Sequence, residues 1–129
     1  MKEITSIQNS YIKSLLKLQD KSRERKKQGL FIIEGKREIS LAISSRYEFD
    51  TILFHPEIIS EKEILHLFNA NVNRIEISKE VYQRLAYRDS TEGIIAVTKV
   101  KDFSLLNIQF KNNNPLILIA ESIEKPGNM

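Results

Sequence analysis

Cysteine is absent from the 129 residues, and histidine occurs only at His55 and His66. The first absence excludes disulfides and thiolate chemistry. It fits a reducing compartment, so a cytoplasmic location is expected. The second leaves no His-based triad and no metal cluster. His55, before Pro56 at a strand end, and His66, in a helical stretch, read as structural. No apolar run approaches the ~20 residues that cross a bilayer. The opening MKEITSIQNS lacks the apolar core of a secretory signal. No phosphate-binding P-loop and no Ser-His-Asp set is present.

What remains is a chain long enough for one ordinary domain and a fragment of a second. Apolar residues make up 41% and charged residues 29%, a soluble globular composition that excludes wholesale disorder. The net charge of +3 is unevenly spread. Residues 1–37 hold ten Lys/Arg against four Asp/Glu, and the remainder holds ten against thirteen. Positive charge gathered at one end points to a polyanion, most often nucleic acid; a solvated basic helix gives the same pattern.

Ile7, Tyr11, Leu15 and Leu18, with Ile12 and Leu16, recur at helical spacing over about 7–20, while Lys13, Lys17 and Lys21 share another face. DKSRERKKQGL continues the charge to a stop at Gly29. FIIEG at 31–35 reads as a strand turning into a helix over about 36–45, with Ile39, Ala42 and Ile43 inward. TILFH at 51–55 is a second strand. Ser60 and Glu63 form a capping box for a helix buried through Ile64, Leu65 and Phe68. NRIEIS at 73–78 alternates as a strand, and Ser78 caps a short helix to about Tyr87. The turn RDSTEG precedes a strand at 94–100. Strands alternating with helices predict an α/β layer with a largely parallel sheet. Residues 101–114 break the rhythm as a linker. LILIAE at 116–121 then reads as a new strand buried on both faces.

Three places carry chemistry. The basic segment would contact phosphates and position a substrate without reading sequence. At Gly35-Lys36-Arg37 a strand hands over to a helix whose N–H groups and dipole can hold an anion. In the terminal ESIEKPGN, Pro126 would stiffen the loop, Gly127 admit close approach of backbone to ligand, and Asn128 offer an amide. Arg88, Asp89, Ser90 and Thr91 read as a turn. The candidate RNA contacts are Lys13, Lys17, Arg23, Arg25, Lys26, Lys27, Lys36 and Arg37.

Three blocks resemble the SpoU (TrmH-type) family of RNA ribose 2′-O-methyltransferases. IQNSYIKSLLKLQDKSRERKKQGLFIIEGKREISLAI resembles the start of the family's substrate-binding domain, through Asn9, Lys13, Leu18, Arg25, Gly29, Phe31, Glu34 and Gly35. TEGIIAV is similar to the end of that domain, with Glu92 where the family usually has Gln. LILIAESIEKPGNM resembles the first catalytic motif through Glu121, Pro126, Gly127 and Asn128, with Lys125 where Asp or Asn is usual.

The resemblance implies a fold and a division of labour. Residues 1–100 would form the three-layer α/β/α sandwich of the kink-turn-binding ribosomal proteins and hold RNA. Residues 101–114 would link them to residues 115–129, the first strand of a knotted α/β methyltransferase domain. It implies S-adenosylmethionine as methyl donor and ribosomal or transfer RNA as substrate. It also implies a homodimer in the full-length form, with no DNA and no membrane partner. The expected catalytic arginine would lie beyond Met129, so the chain is expected to bind no cofactor and to be inactive alone. A stand-alone kink-turn-type RNA-binding protein is the alternative, and a protein–protein scaffold is a third reading. Only the scaffold predicts RNA binding with little salt dependence.

Overall fold

The structure, a computed structural model, describes residues 2–69, 71–87 and 92–122. Strands and helices alternate in the order β1 (Lys2–Ile4), α1 (Ser10–Asp20), α2 (Ser22–Gln28), β2 (Leu30–Glu34), α3 (Lys36–Ser44), β3 (Phe49–Phe54), α4 (Glu61–Phe68), β4 (Arg74–Ile77), α5 (Lys79–Leu85) and β5 (Ile94–Lys99). Polar caps set most of the helix starts. Asn9 Oδ1 accepts the Tyr11 N–H at 2.9 Å, so α1 begins at Ser10 rather than near residue 7. Lys21 is extended and splits α1 from α2. Ser60 and Glu63 complete the expected capping box, with bonds of 3.1 and 3.2 Å. Ser78 Oγ accepts from Val81 N at 3.2 Å and opens α5.

Among the described residues one sheet forms, in the order β1-β4-β3-β5-β2. β1 and β3 pair parallel with β4, whereas β5 runs antiparallel to both β3 and β2. The expectation of a largely parallel sheet is therefore corrected to a mixed one. Ile94 pairs with Phe54, so β5 starts at the end of the sheet at which β4 finishes. There Gly93 N–H donates to the Tyr82 hydroxyl at 3.0 Å. β5 accordingly enters from that end.

The sheet is apolar on both faces. Ile12, Leu15 and Leu18 of α1 and Val81, Tyr82 and Leu85 of α5 pack on Leu53, Ile75, Ile77, Ile95 and Val97. Ile39 of α3 and Ile64 and Phe68 of α4 cover Ile52, Phe54, Ile94 and Ala96 on the other face. This is the expected α/β/α sandwich, and period-two alternation along β3 and β5 feeds both layers. Each buried Ile or Leu contributes roughly 1.5–3 kcal/mol. Leu65, expected inside, is only half-buried, and Leu67 packs against the core instead. Tyr11 lies against the first layer. Burial raises its phenol above the ordinary tyrosine value, the Thr51 hydroxyl lowers it somewhat, and Asp50 adds to the rise.

The chain leaves the sandwich along a fixed track. Val100 N–H donates to the Gly29 carbonyl at 2.9 Å. Lys101 Nζ donates to the Ser45 carbonyl and stands 4.3 Å over the Tyr47 ring. A short 3-10 turn at Leu105–Asn107 follows. The doubly buried strand expected at 116–121 is not formed. Those residues carry no strand, and Leu116 and Leu118 are 100% and 80% exposed. A strand exists only where a neighbour completes its ladder, and no described strand pairs with this segment.

Candidate nucleic-acid interface

Lys13 and Lys17 project from the solvent side of α1, opposite Ile12, Leu15 and Leu18. Arg23, Lys26 and Lys27 are exposed on α2, which buries none of its own residues. Arg25 differs. It is half-buried and donates from Nη1 to the carbonyls of Leu18 at 2.7 Å and Gln19 at 3.0 Å. Its charge caps the carboxyl end of α1, where a cation is favoured. A structural duty therefore belongs to one residue the sequence offers as an RNA contact.

Lys36 and Arg37 occupy the first turn of α3, both exposed and without an ion pair among the described residues. Cations at a helix N-terminus oppose the macrodipole, at about 0.3–1 kcal/mol each. The eight candidates thus divide into two groups. Those of α1 and α2 lie with the layer over Leu53 and Val97, and those of α3 belong to the opposite layer.

The anion position read from Gly35-Lys36-Arg37 is filled by the chain itself. A Glu92 carboxylate oxygen accepts the Lys36 N–H. Gly35 has φ 98°, and a Cβ there would come within 2.8 Å of Glu92 Oε2 and 2.9 Å of Glu38 Oε2. Glycine is required both for that backbone and for the two carboxylates beside it. Glu92, which stands where the resemblance expects Gln, is therefore an internal cap. Local sequence gave no sign of it, because the partners are 56 positions apart.

Beside it the ends of β3 and β5 are locked together. His55 N–H donates to the Gly93 carbonyl at 2.9 Å, and the His55 carbonyl accepts from Ile58 and Ile59. The His55 ring stacks on Tyr82 at 6.3 Å, consistent with the structural role expected for it. His66 is exposed in the last turn of α4.

Two open cavities lie near the candidate cations. One of about 490 Å³ runs along β2 beside Arg25, Gln19 and Tyr87. Another of about 400 Å³ lies between α3 and α4, lined by Lys36, Ile59, Lys62, Glu63, His66 and Leu67. Among the described residues no group of three or more His, Asp or Glu could hold a metal, and no helix is long and apolar enough to cross a membrane. Glu121 is exposed; Pro126, Gly127 and Asn128, with Arg88 to Thr91, lie outside the described residues.

The match to a family decides the class: residues 9–96 fit the MRM3-like substrate binding domain. The chain belongs to that family. Solved structures extend the likeness of this MRM3-like domain. An RNA 2′-O ribose methyltransferase is 32% identical with a TM-score of 0.75, over 98% of this chain and 48% of that one. The SpoU methyltransferase AviRb from Streptomyces viridochromogenes, in complex with AdoMet, is 20% identical with a TM-score of 0.69, over 81% and 40%. An rRNA methyltransferase from Sinorhizobium meliloti is 20% identical with a TM-score of 0.66, over 83% and 40%. The latter two share the fold. The chain spans about half the length, or less, of each of these proteins. No curated protein matches the sequence.

Proposed function

We propose that the chain is the RNA-recognising part of a ribose 2′-O-methyltransferase that uses S-adenosylmethionine. The observation that carries this reading is the likeness, over nearly the whole chain, to an RNA 2′-O ribose methyltransferase at 32% identity. The family match at 9–96 supports it. Residues 1–100 recognise RNA, 101–114 link, and 115–129 begin a knotted methyltransferase domain that pairs as a homodimer. The 2′-hydroxyl target makes RNA, not DNA, the partner.

The donor supplies an electrophilic methyl group for displacement by the 2′-hydroxyl. Glu121 of the first motif is exposed and lines neither cavity described above. The chain's own contribution is positional. Lys13, Lys17, Arg23, Lys26 and Lys27 on one layer and Lys36 and Arg37 on the other neutralise phosphates and restrict how the ribose is presented. Such contacts make log affinity fall linearly with log salt.

The experiment is a titration of the chain with ribosomal and transfer RNA at several salt concentrations, beside an assay with labelled methyl donor. Salt-dependent binding without methyl transfer is expected. Absence of RNA binding at low salt overturns the reading, and turnover by this chain alone overturns its assignment as the recognition part.

A further inference from the structure

The cavity between α3 and α4 combines two kinds of wall. Ile59, 1% exposed, and half-buried Leu67 give an apolar floor. Lys36 comes from the first turn of α3, and Lys62 and His66 come from α4. The latter two are four residues apart and so share a helical face.

Arg25, Arg74, Lys99 and Lys101 are each held by a carbonyl or carboxylate. Lys36 and Lys62 form no ion pair among the described residues. The one acid in the lining, Glu63, is committed to the capping box, where it accepts from Ser60 N. Lys36 and Lys62 both sit in first helical turns, where their charge opposes the helix dipole. The backbone donor at the start of α3 is already taken by Glu92. The Lys36 and Lys62 ammonium groups are the donors left to hold an anion in this lining.

We infer that this groove takes one unstacked RNA nucleotide, with its phosphate between Lys36 and Lys62 and its base against Leu67, beside the buried Ile59. This rests on the RNA reading above and adds a site, Lys62 and His66, outside the basic N-terminal segment. The volume of about 400 Å³ lies within the ~300–1,000 Å³ range of small-ligand sites. An apolar floor beneath cations suits a nucleotide better than a bare phosphate, because the base offers a face to bury.

The test uses the intact chain, a short single-stranded RNA and methyl NMR of Ile59 and Leu67. Both methyl groups are expected to shift on RNA addition and not with inorganic phosphate. Lys62→Glu should weaken binding about tenfold and lower the salt slope by about 1. Its fold should hold, because an acid in the first turn of α4 favours the helix; Lys62→Ala should weaken binding less, in the same direction. RNA binding that survives Lys62→Glu with unmoved methyls overturns the groove while the RNA reading stands. Methyl shifts that appear only with an acidic peptide overturn it in favour of a protein partner. No RNA binding by the wild-type chain overturns both.

Discussion

The guanidinium of Arg25 holds the carbonyl of Leu18 at 2.7 Å, seven residues back, and that of Gln19 at 3.0 Å. One charged side chain thus finishes α1 and fixes α2 against it. Arg25→Ala should cost about 1.5–3 kcal/mol, the scale of hydrogen bonds to a charged group. Chemical denaturation measures the loss. Arg25→Lys should restore only part of it, because an ammonium lacks the planar fork. Any loss of RNA affinity in Arg25→Ala should be matched by loss of folded chain, whereas Lys26→Ala should lower affinity and leave stability unchanged.

Glu92 supplies the acceptor that α3 lacks at its cap. Glu92→Ala exposes the start of α3 and should destabilise by about 0.5–2 kcal/mol, as loss of a side-chain cap does. The emptied position should then accept an added anion. Sulfate is expected to raise the melting temperature of Glu92→Ala more than that of the wild type. An equal rise in both would show that the carboxylate does not fill an anion site.

Tyr82 gives its hydroxyl oxygen to the buried Gly93 N–H. Tyr82→Phe removes that acceptor and keeps the ring over His55. An orphaned buried donor costs about 1–3 kcal/mol. Amide exchange at Gly93 should accelerate in the variant more than exchange at Leu53, in the middle of β3.

Tyr11 links stability to alkaline pH. An unfolded tyrosine loses its proton near pH 10, whereas burial raises the folded value. Between the two values the folded chain keeps a proton that the unfolded chain has shed. The stabilisation is therefore complete below about pH 10 and is lost as pH rises through the folded value. Tyr11→Phe should flatten this decline. Denaturation profiles of both proteins from pH 8 to 11 give the comparison.

Local signals were legible in the residues and long-range ones were not. The Ser60–Glu63 box, the Ser78 cap and the stop at Gly29 are written in adjacent side chains, and all appear in the structure. β1 was missed because three residues are too few to show a period of two. The direction of β5 lies in its pairing with β3 and β2, which no alternation reveals. The apolar run at 116–121 states a need for burial without saying which sheet could meet it. In the candidate site the charges were visible, but their employment was not. Arg25 and Glu92 act on partners invisible to spacing, and Lys62 sits in a helix start that reads only as a cap.

Lys101, clasped by Tyr47 and Ser45 next to the Val100–Gly29 bond, fixes where the chain leaves the sandwich. Gly29 precedes one tip of β2 and Gly35 follows the other, roughly 20 Å away at the usual rise of a strand. The carboxylate-filled turn at Gly35 and the exit of the chain at Lys101 therefore lie at opposite ends of β2.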